Sequence, residues 1–76
     1  MSSKLKAKRE ERNMPQSQLA AAAGINYRTL QEYERERADI NGAKLKTILK
    51  LCRSLECHMS DILTDDEVIE MFDEIK

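Results

Sequence analysis

One stretch near the middle of the chain, YRTLQEYER, carries polar side chains of varied chemistry. Tyr27, Arg28, Gln31 and Glu32 are spaced so that a helix would place them together on its polar outer face. In the major groove of DNA, an arginine can pair bidentately with guanine, and a carboxylate can accept a hydrogen bond from cytosine. A solvated helix is the alternative interpretation of this stretch, with Arg28 and Glu32 paired at i, i+4.

The sequence around this stretch predicts two short helices joined by a tight turn. Residues 16–23, which are rich in alanine, are a strong helix former. Gly24 can adopt the positive φ that ends such a helix, and Asn26 is a suitable N-cap for a second helix over 27–35. The small and apolar residues that the crossing requires are also present: Ala20, Ile25, Leu30 and Tyr33. The pattern predicts a helix-turn-helix.

Further helices are predicted on both sides of this unit. A first helix covers residues 3–12 and ends before the sequence NMP. Asn41 is the predicted cap of a longer helix over 42–55. The apolar residues of that helix recur at i, i+3, i+4 and i+7, so we expect them in the core: Leu45, Ile48, Leu49 and Cys52. With a short fifth helix over 59–63, the sequence predicts an all-α fold.

The charge of the chain is divided between a basic body and an acidic tail. Residues 1–60 carry twelve Lys and Arg against seven Asp and Glu, a net charge of +5. Residues 61–76 carry seven Asp and Glu against Lys76 alone, a net charge of −6. The overall formal charge of −1 conceals this division, and the two parts need not share a function.

The acidic tail has the pattern of a separate amphipathic helix. Thr64 and Glu67 fit a capping box, with Thr64 as the N-cap. Four apolar residues follow at helical spacing: Val68, Met71, Phe72 and Ile75. We therefore divide the chain into a domain over 1–64 and an additional short acidic helix over 65–76. Its apolar side can pack on the chain's own core, form a dimer interface, or bind a partner protein.

The sequence PQSQLAAAAGINYRTLQEYERE, with AKLKTILKLCRSL after it, resembles the phage repressor and Cro-like (XRE-type) helix-turn-helix family. The resemblance covers about residues 2–63. It implies a five-helix domain whose partner is a double-stranded DNA operator, bound as a homodimer. By position, it implies contacts to base edges from four residues: Tyr27, Arg28, Gln31 and Glu32. It also implies contacts to phosphates from Gln16, Arg35, Arg37 and the start of the fourth helix at Asn41 and Gly42.

The resemblance further implies a buried ion pair between Arg9 and Glu34, which would tie the first helix to the third. The alternative is that the two side chains are exposed and never meet. The chain departs from the family pattern at two positions. Pro15 stands where a Ser or Thr usually caps the second helix, and Glu36 stands where a glycine often follows the third. An acid at Glu36 would lie near the phosphates and weaken binding to random DNA.

Other classes of function find little support in the sequence. Cys52, Cys57 and His58 lack a fourth metal ligand at paired spacing, so we expect no metal site and no cofactor. The single histidine has no nucleophile pattern around it, and we expect no enzyme activity. No apolar run reaches the roughly 20 residues that a membrane span needs. We expect a cytoplasmic protein with reduced thiols.

These observations predict a sequence-specific transcriptional regulator that binds DNA with the helix over 27–35. We expect a repressor, which would act by occupying an operator. The alternative is a protein-interaction module, such as an antitoxin whose acidic tail binds a partner protein.

Overall fold

The computed structural model describes residues 3–74, apart from the side chains of Phe72 and Asp73. This part of the chain forms five α-helices and contains no strand, which confirms the predicted all-α fold. The helices are α1 (Lys4–Glu11), α2 (Gln16–Ala23), α3 (Tyr27–Glu34), α4 (Leu45–Leu55) and α5 (Asp66–Glu74). Two 3₁₀ turns, Ile40–Gly42 and Met59–Asp61, lie before and after α4. Within the described range, no helix is long and apolar enough to cross a membrane.

The helices α1 to α4 all end in the same way. A residue with left-handed backbone follows the last turn of each: Asn13, Gly24, Glu36 and Glu56. The next N–H then bonds back to a carbonyl five residues earlier, as from Ile25 to Ala20 (3.0 Å) and from Arg37 to Glu32 (2.9 Å). This Schellman motif satisfies carbonyls at the helix end, and glycine adopts it at the least cost. The two glutamates therefore hold a backbone conformation that is unfavourable for them.

A single core of aliphatic side chains holds the helices together. The largest fully buried side chains are Leu5, Leu19, Leu30, Ile48, Leu51, Leu55, Ile62 and Leu63. Helix α2 packs against both α3 and α4, and α1 packs against α3. Ala20 and Ala23 of α2 are almost completely buried, and their small side chains allow the neighbouring helices to approach closely. Packing in the core therefore determines which side of α3 is exposed to solvent.

The predicted start of the fourth helix is wrong. Helix α4 begins at Leu45, and Asn41 lies in the preceding 3₁₀ turn. The Asn41 Oδ1 atom accepts hydrogen bonds from the N–H groups of Thr64 (2.9 Å) and Asp65 (3.0 Å). Its Nδ2 atom donates to Thr64 Oγ1 at 2.9 Å. The Asn41 side chain therefore links this turn to the segment before α5, because it forms hydrogen bonds with Thr64 and Asp65 instead of capping α4.

Two predictions about the C-terminal region also need correction. The residues predicted as a short fifth helix form the 3₁₀ turn Met59–Asp61. There the His58 N–H donates to Asp61 Oδ2 at 2.9 Å, and this bond lowers the pKa of Asp61. The cap of α5 is Asp65 rather than Thr64. Its Oδ1 atom accepts from the N–H groups at positions 67 and 68 at 3.0 and 3.4 Å, whereas the Thr64 hydroxyl bonds to Asn41.

The apolar surfaces of α4 and α5 are only partly buried. Leu45 and Leu49 were expected in the core, but they are 51% and 50% exposed, since the core contacts a narrower side of α4. On α5, Val68 and Ile69 pack against the core, while Met71 is 54% exposed. The other two apolar residues predicted on this helix, Ile75 and the side chain of Phe72, lie outside the described residues.

Candidate nucleic-acid interface

The outer face of α3 carries the four side chains predicted to contact bases. Tyr27 is 47% exposed and Arg28 is also exposed, while Gln31 and Glu32 are half-buried beside them. The Asn26 side chain caps the helix by accepting from the Arg28 N–H at 2.7 Å. The opposite side of α3 is anchored in the core. The structure therefore brings the four residues together on one rigid helix.

The Arg28 guanidinium is not engaged by the carboxylate one turn away. Among the described side chains, the ion pairs closer than 4.0 Å are Lys8–Glu11, Arg9–Glu34 and Arg12–Glu56. The intrahelical pair between Arg28 and Glu32, which the solvated-helix interpretation requires, is not formed. Both groups remain available for an external partner.

The ion pair predicted between Arg9 and Glu34 is present in the structure. The Arg9 Nε atom donates to Glu34 Oε2 at 2.6 Å, and Nη2 donates to Oε1 at 3.0 Å. Glu34 is only 3% exposed, and the hydrogen bond to it raises the pKa of Arg9. Arg9 Nη1 also donates to the Met14 carbonyl at 2.8 Å. The pair fixes α1 and the turn after it against the end of α3.

The Glu34 carboxylate also supports the outer face of α3, through Gln16. The Gln16 Nε2 atom donates to Glu34 Oε1 at 2.9 Å, and the Tyr27 hydroxyl donates to Gln16 Oε1 at 3.0 Å. A chain of hydrogen bonds thus runs from the buried Glu34, through the first residue of α2, to the first residue of α3. Tyr27 is held at the start of α3 by this chain, and Gln16 keeps one amide hydrogen for a further partner.

Positions suited to phosphate contact surround the outer face of α3. Gln16 begins α2, and the preceding Pro15 has no side-chain acceptor to cap the first N–H groups of that helix. Arg35 and Arg37 are exposed directly after α3, with the exposed Glu36 between them. The arrangement offers an uncapped helix start at α2 and two exposed arginines after the end of α3.

The basis for the predicted phosphate contact at Asn41 and Gly42 is wrong. Their N–H groups are not free helix-end donors, because they bond to the carboxylate (2.9 Å) and the carbonyl (3.1 Å) of Asp39. The uncapped start of a helix lies instead at Lys44, which forms no side-chain cap within the described chain. Lys44 is not among the contacts predicted from the sequence. A lysine at a helix start is unfavourable for the helix dipole unless an anion is bound there.

The cysteines are suited to packing rather than to chemistry. Burial raises the pKa of Cys52 to about 12, and burial also raises the pKa of the half-buried Cys57. Neither thiol therefore has the lowered pKa that marks a reactive cysteine. No cluster of three potential metal ligands occurs among the residues that the structure describes.

Comparison with known families agrees with this geometry. The model of the Cro/C1-type HTH DNA-binding domain matches residues 4–67, which include α1 to α4 and the start of α5. No curated protein matches the chain. Domains of this family bind DNA and are typically not enzymes. Since the match extends over most of the 76 residues, the chain belongs to the Cro/C1-type helix-turn-helix DNA-binding family.

Proposed function

We propose that the protein is a sequence-specific transcriptional repressor that inserts α3 into the major groove of its operator. The observation that carries this proposal is the outer face of α3, on which Arg28 and Glu32 are unpaired with each other. Arg28 would pair bidentately with guanine, and Glu32 would accept from the cytosine amino group. Gln31 would add amide contacts to the bases beside Arg28.

Tyr27 has a separate role at the start of α3. Its hydroxyl is held by Gln16, so the ring is fixed at the edge of the reading face. From there the ring can contact a thymine methyl group, which is an apolar form of base recognition. Because Gln16 is itself held by the buried Glu34, this placement costs little ordering when DNA binds.

Phosphate contacts would fix the position of α3 in the groove. Gln16 and the open N–H groups at the start of α2 would hold one strand of the backbone. Arg35 and Arg37 would hold the backbone next to the end of α3, and Lys44 at the uncapped start of α4 would add a further contact. Such contacts carry affinity and its salt dependence but little sequence information. Glu36 would reduce the affinity for random DNA through repulsion of the phosphates.

The proposed repression would act through simple occupancy of the operator. Members of this class bind as two-fold dimers to half-sites about 34 Å apart, so we infer a palindromic operator. A dimer that covers two turns of promoter DNA excludes polymerase without needing any contact to it. The second candidate function is a protein-interaction module. It is favoured by α5, where Met71 is 54% exposed on a strongly acidic helix.

Selection from a random pool of double-stranded DNA tests the proposal. Wild-type protein should enrich a palindromic motif, and Arg28→Ala should lose or alter it while its circular dichroism remains helical. Arg12→Ala is the matched control, since it removes an exposed arginine outside α2 and α3. No enrichment by folded wild type at any salt concentration would refute operator binding. Loss of the motif in both variants would show a dependence on charge alone.

A further inference from the structure

An apolar groove on the outer side of α4 is left open by the residues that the structure describes. Leu45 and Leu49 are half-exposed there, with three cations beside them: Lys46, Lys50 and Arg53. These five residues line an open groove of about 390 Å³, and all of them belong to α4. Leu45 and Leu49 thus form a small exposed apolar surface bordered by positive charge.

Helix α5 presents a face with the opposite chemistry. Glu67, Glu70, Met71 and Glu74 are all exposed, and helical spacing places them on one side. The other side of α5 packs against the core, so the acidic face points away from its own chain. Met71 thus lies along one edge of a row of three carboxylates.

The two surfaces match in sign and in length. The first and last cations of the α4 groove are seven positions apart, and so are the first and last glutamates of the α5 face. Seven positions extend about 10 Å along a helix, so the two rows can lie side by side. Met71 would then contact Leu49 beside the paired rows of charge. Three pairs of opposite charge and one apolar contact favour a specific helix-to-helix docking.

The α5 face does not cover the groove of its own chain. Met71 is 54% exposed and Leu49 is 50% exposed, so the two side chains do not bury each other. Helix α5 is also fixed in place, because Asp65 caps it and Asn41 holds the preceding segment. The outward face of α5 and the open groove of α4 can therefore contact each other only when they belong to two different molecules.

We propose that α5 of one copy docks into the α4 groove of a second copy, and that the same contact occurs twice in a two-fold dimer. The symmetry covers both grooves and both acidic faces at once, as an isologous interface must. The proposal assigns the interface of the dimer that was inferred to bind the operator. It rests on the proposed function only in that DNA binding is the role given to this dimer.

Complementary charge reversal tests this interface in the absence of DNA. One variant carries Lys46→Glu, Lys50→Glu and Arg53→Glu, and the other carries Glu67→Lys, Glu70→Lys and Glu74→Lys. Each variant alone should dissociate at least about 100-fold more readily than wild type in sedimentation experiments, because like charges then face each other in both contacts. An equimolar mixture should recover the dimer. In that heterodimer, one contact pairs the two reversed surfaces and the other pairs the two unchanged ones.

The outcomes separate this interface from its rivals. A monomeric wild type, or single variants that dimerise like wild type, would overturn the proposal. A mixture that stays monomeric while both variants retain helical circular dichroism would also overturn it. Leu49→Ser in an otherwise wild-type chain keeps every charge, and this variant should also form a weaker dimer than wild type. A wild-type dimer that enriches no DNA motif would refute the proposed function alone, and a monomer that enriches one would refute the interface alone.

Discussion

Among single residues, Glu34 affects both the stability of the domain and the position of Tyr27 on the outer face of α3. Its carboxylate accepts two hydrogen bonds from Arg9 and one from Gln16, and it is almost completely buried. A buried carboxylate is tolerated when its partners are complete, and costly when one partner is removed. The same residue supports Tyr27 through Gln16. Stability and DNA recognition should therefore change together at this position.

Glu34→Gln should destabilise the protein by about 3 kcal/mol, because it leaves the largely buried Arg9 guanidinium without its counter-charge. Urea unfolding followed by circular dichroism measures the change. Glu11→Gln, which removes a carboxylate from the exposed pair with Lys8, should leave the unfolding midpoint nearly unchanged. Equal midpoints for the two variants would show that the Arg9–Glu34 pair contributes no more than a surface pair.

At the scale of helices and turns, Glu36 occupies the left-handed position after α3, with φ of 60°. Glu36→Gly should raise the free energy of unfolding by about 1 kcal/mol, because glycine adopts this conformation without steric cost. Glu36→Gln keeps the backbone strain and removes only the charge, so its stability should stay close to wild type. Thermal unfolding of both variants checks this. Equal stabilisation by Gln and Gly would mean that charge, not backbone conformation, is unfavourable there.

The link made by Asn41 should control how firmly α5 is held. Asn41→Ala removes the acceptor for the N–H groups of Thr64 and Asp65, at a cost of about 1 kcal/mol. Hydrogen exchange should accelerate in α5 while the amides of α2 and α3 keep their protection. Thr64→Val removes one bond to the Asn41 amide nitrogen and should have a smaller effect. Uniform acceleration across all helices would contradict a local link.

The bounds of a helix could be predicted from the sequence where neighbouring residues determine them. They could not be predicted where hydrogen bonds to residues distant in sequence determine them. The helix bounds at 16–23 and the N-cap at Asn26 were predicted correctly, because alanine content, Gly24 and the cap are neighbours in sequence. The start of α4 was not, since the partners of Asn41 lie more than twenty residues away. Leu45 fits the apolar period of α4, but periodicity does not fix how wide a side the core covers.

At the scale of the whole molecule, the division of charge has a structural counterpart. The basic body contains the helix-turn-helix and the α4 groove, and the acidic tail forms α5 with its glutamates outward. The division was visible in the sequence, but the match between α5 and the groove was not, because it required the exposed faces of both helices. The Arg9–Glu34 pair was predicted from the family resemblance, since 25 residues separate the two partners.

Recognition of base sequence by α3 can be measured as the ratio of the affinities for the operator and for a scrambled duplex, compared between wild type and Arg28→Ala. The dissociation constants of wild type, Arg28→Ala and Arg37→Ala are measured for the selected operator and for a scrambled duplex over a range of salt concentrations. Arg28→Ala should lower the ratio of the two affinities by about 10- to 100-fold. Arg37→Ala should weaken both duplexes alike and reduce the salt slope by about one. An unchanged ratio in Arg28→Ala, with both duplexes bound more weakly, would contradict base recognition by α3.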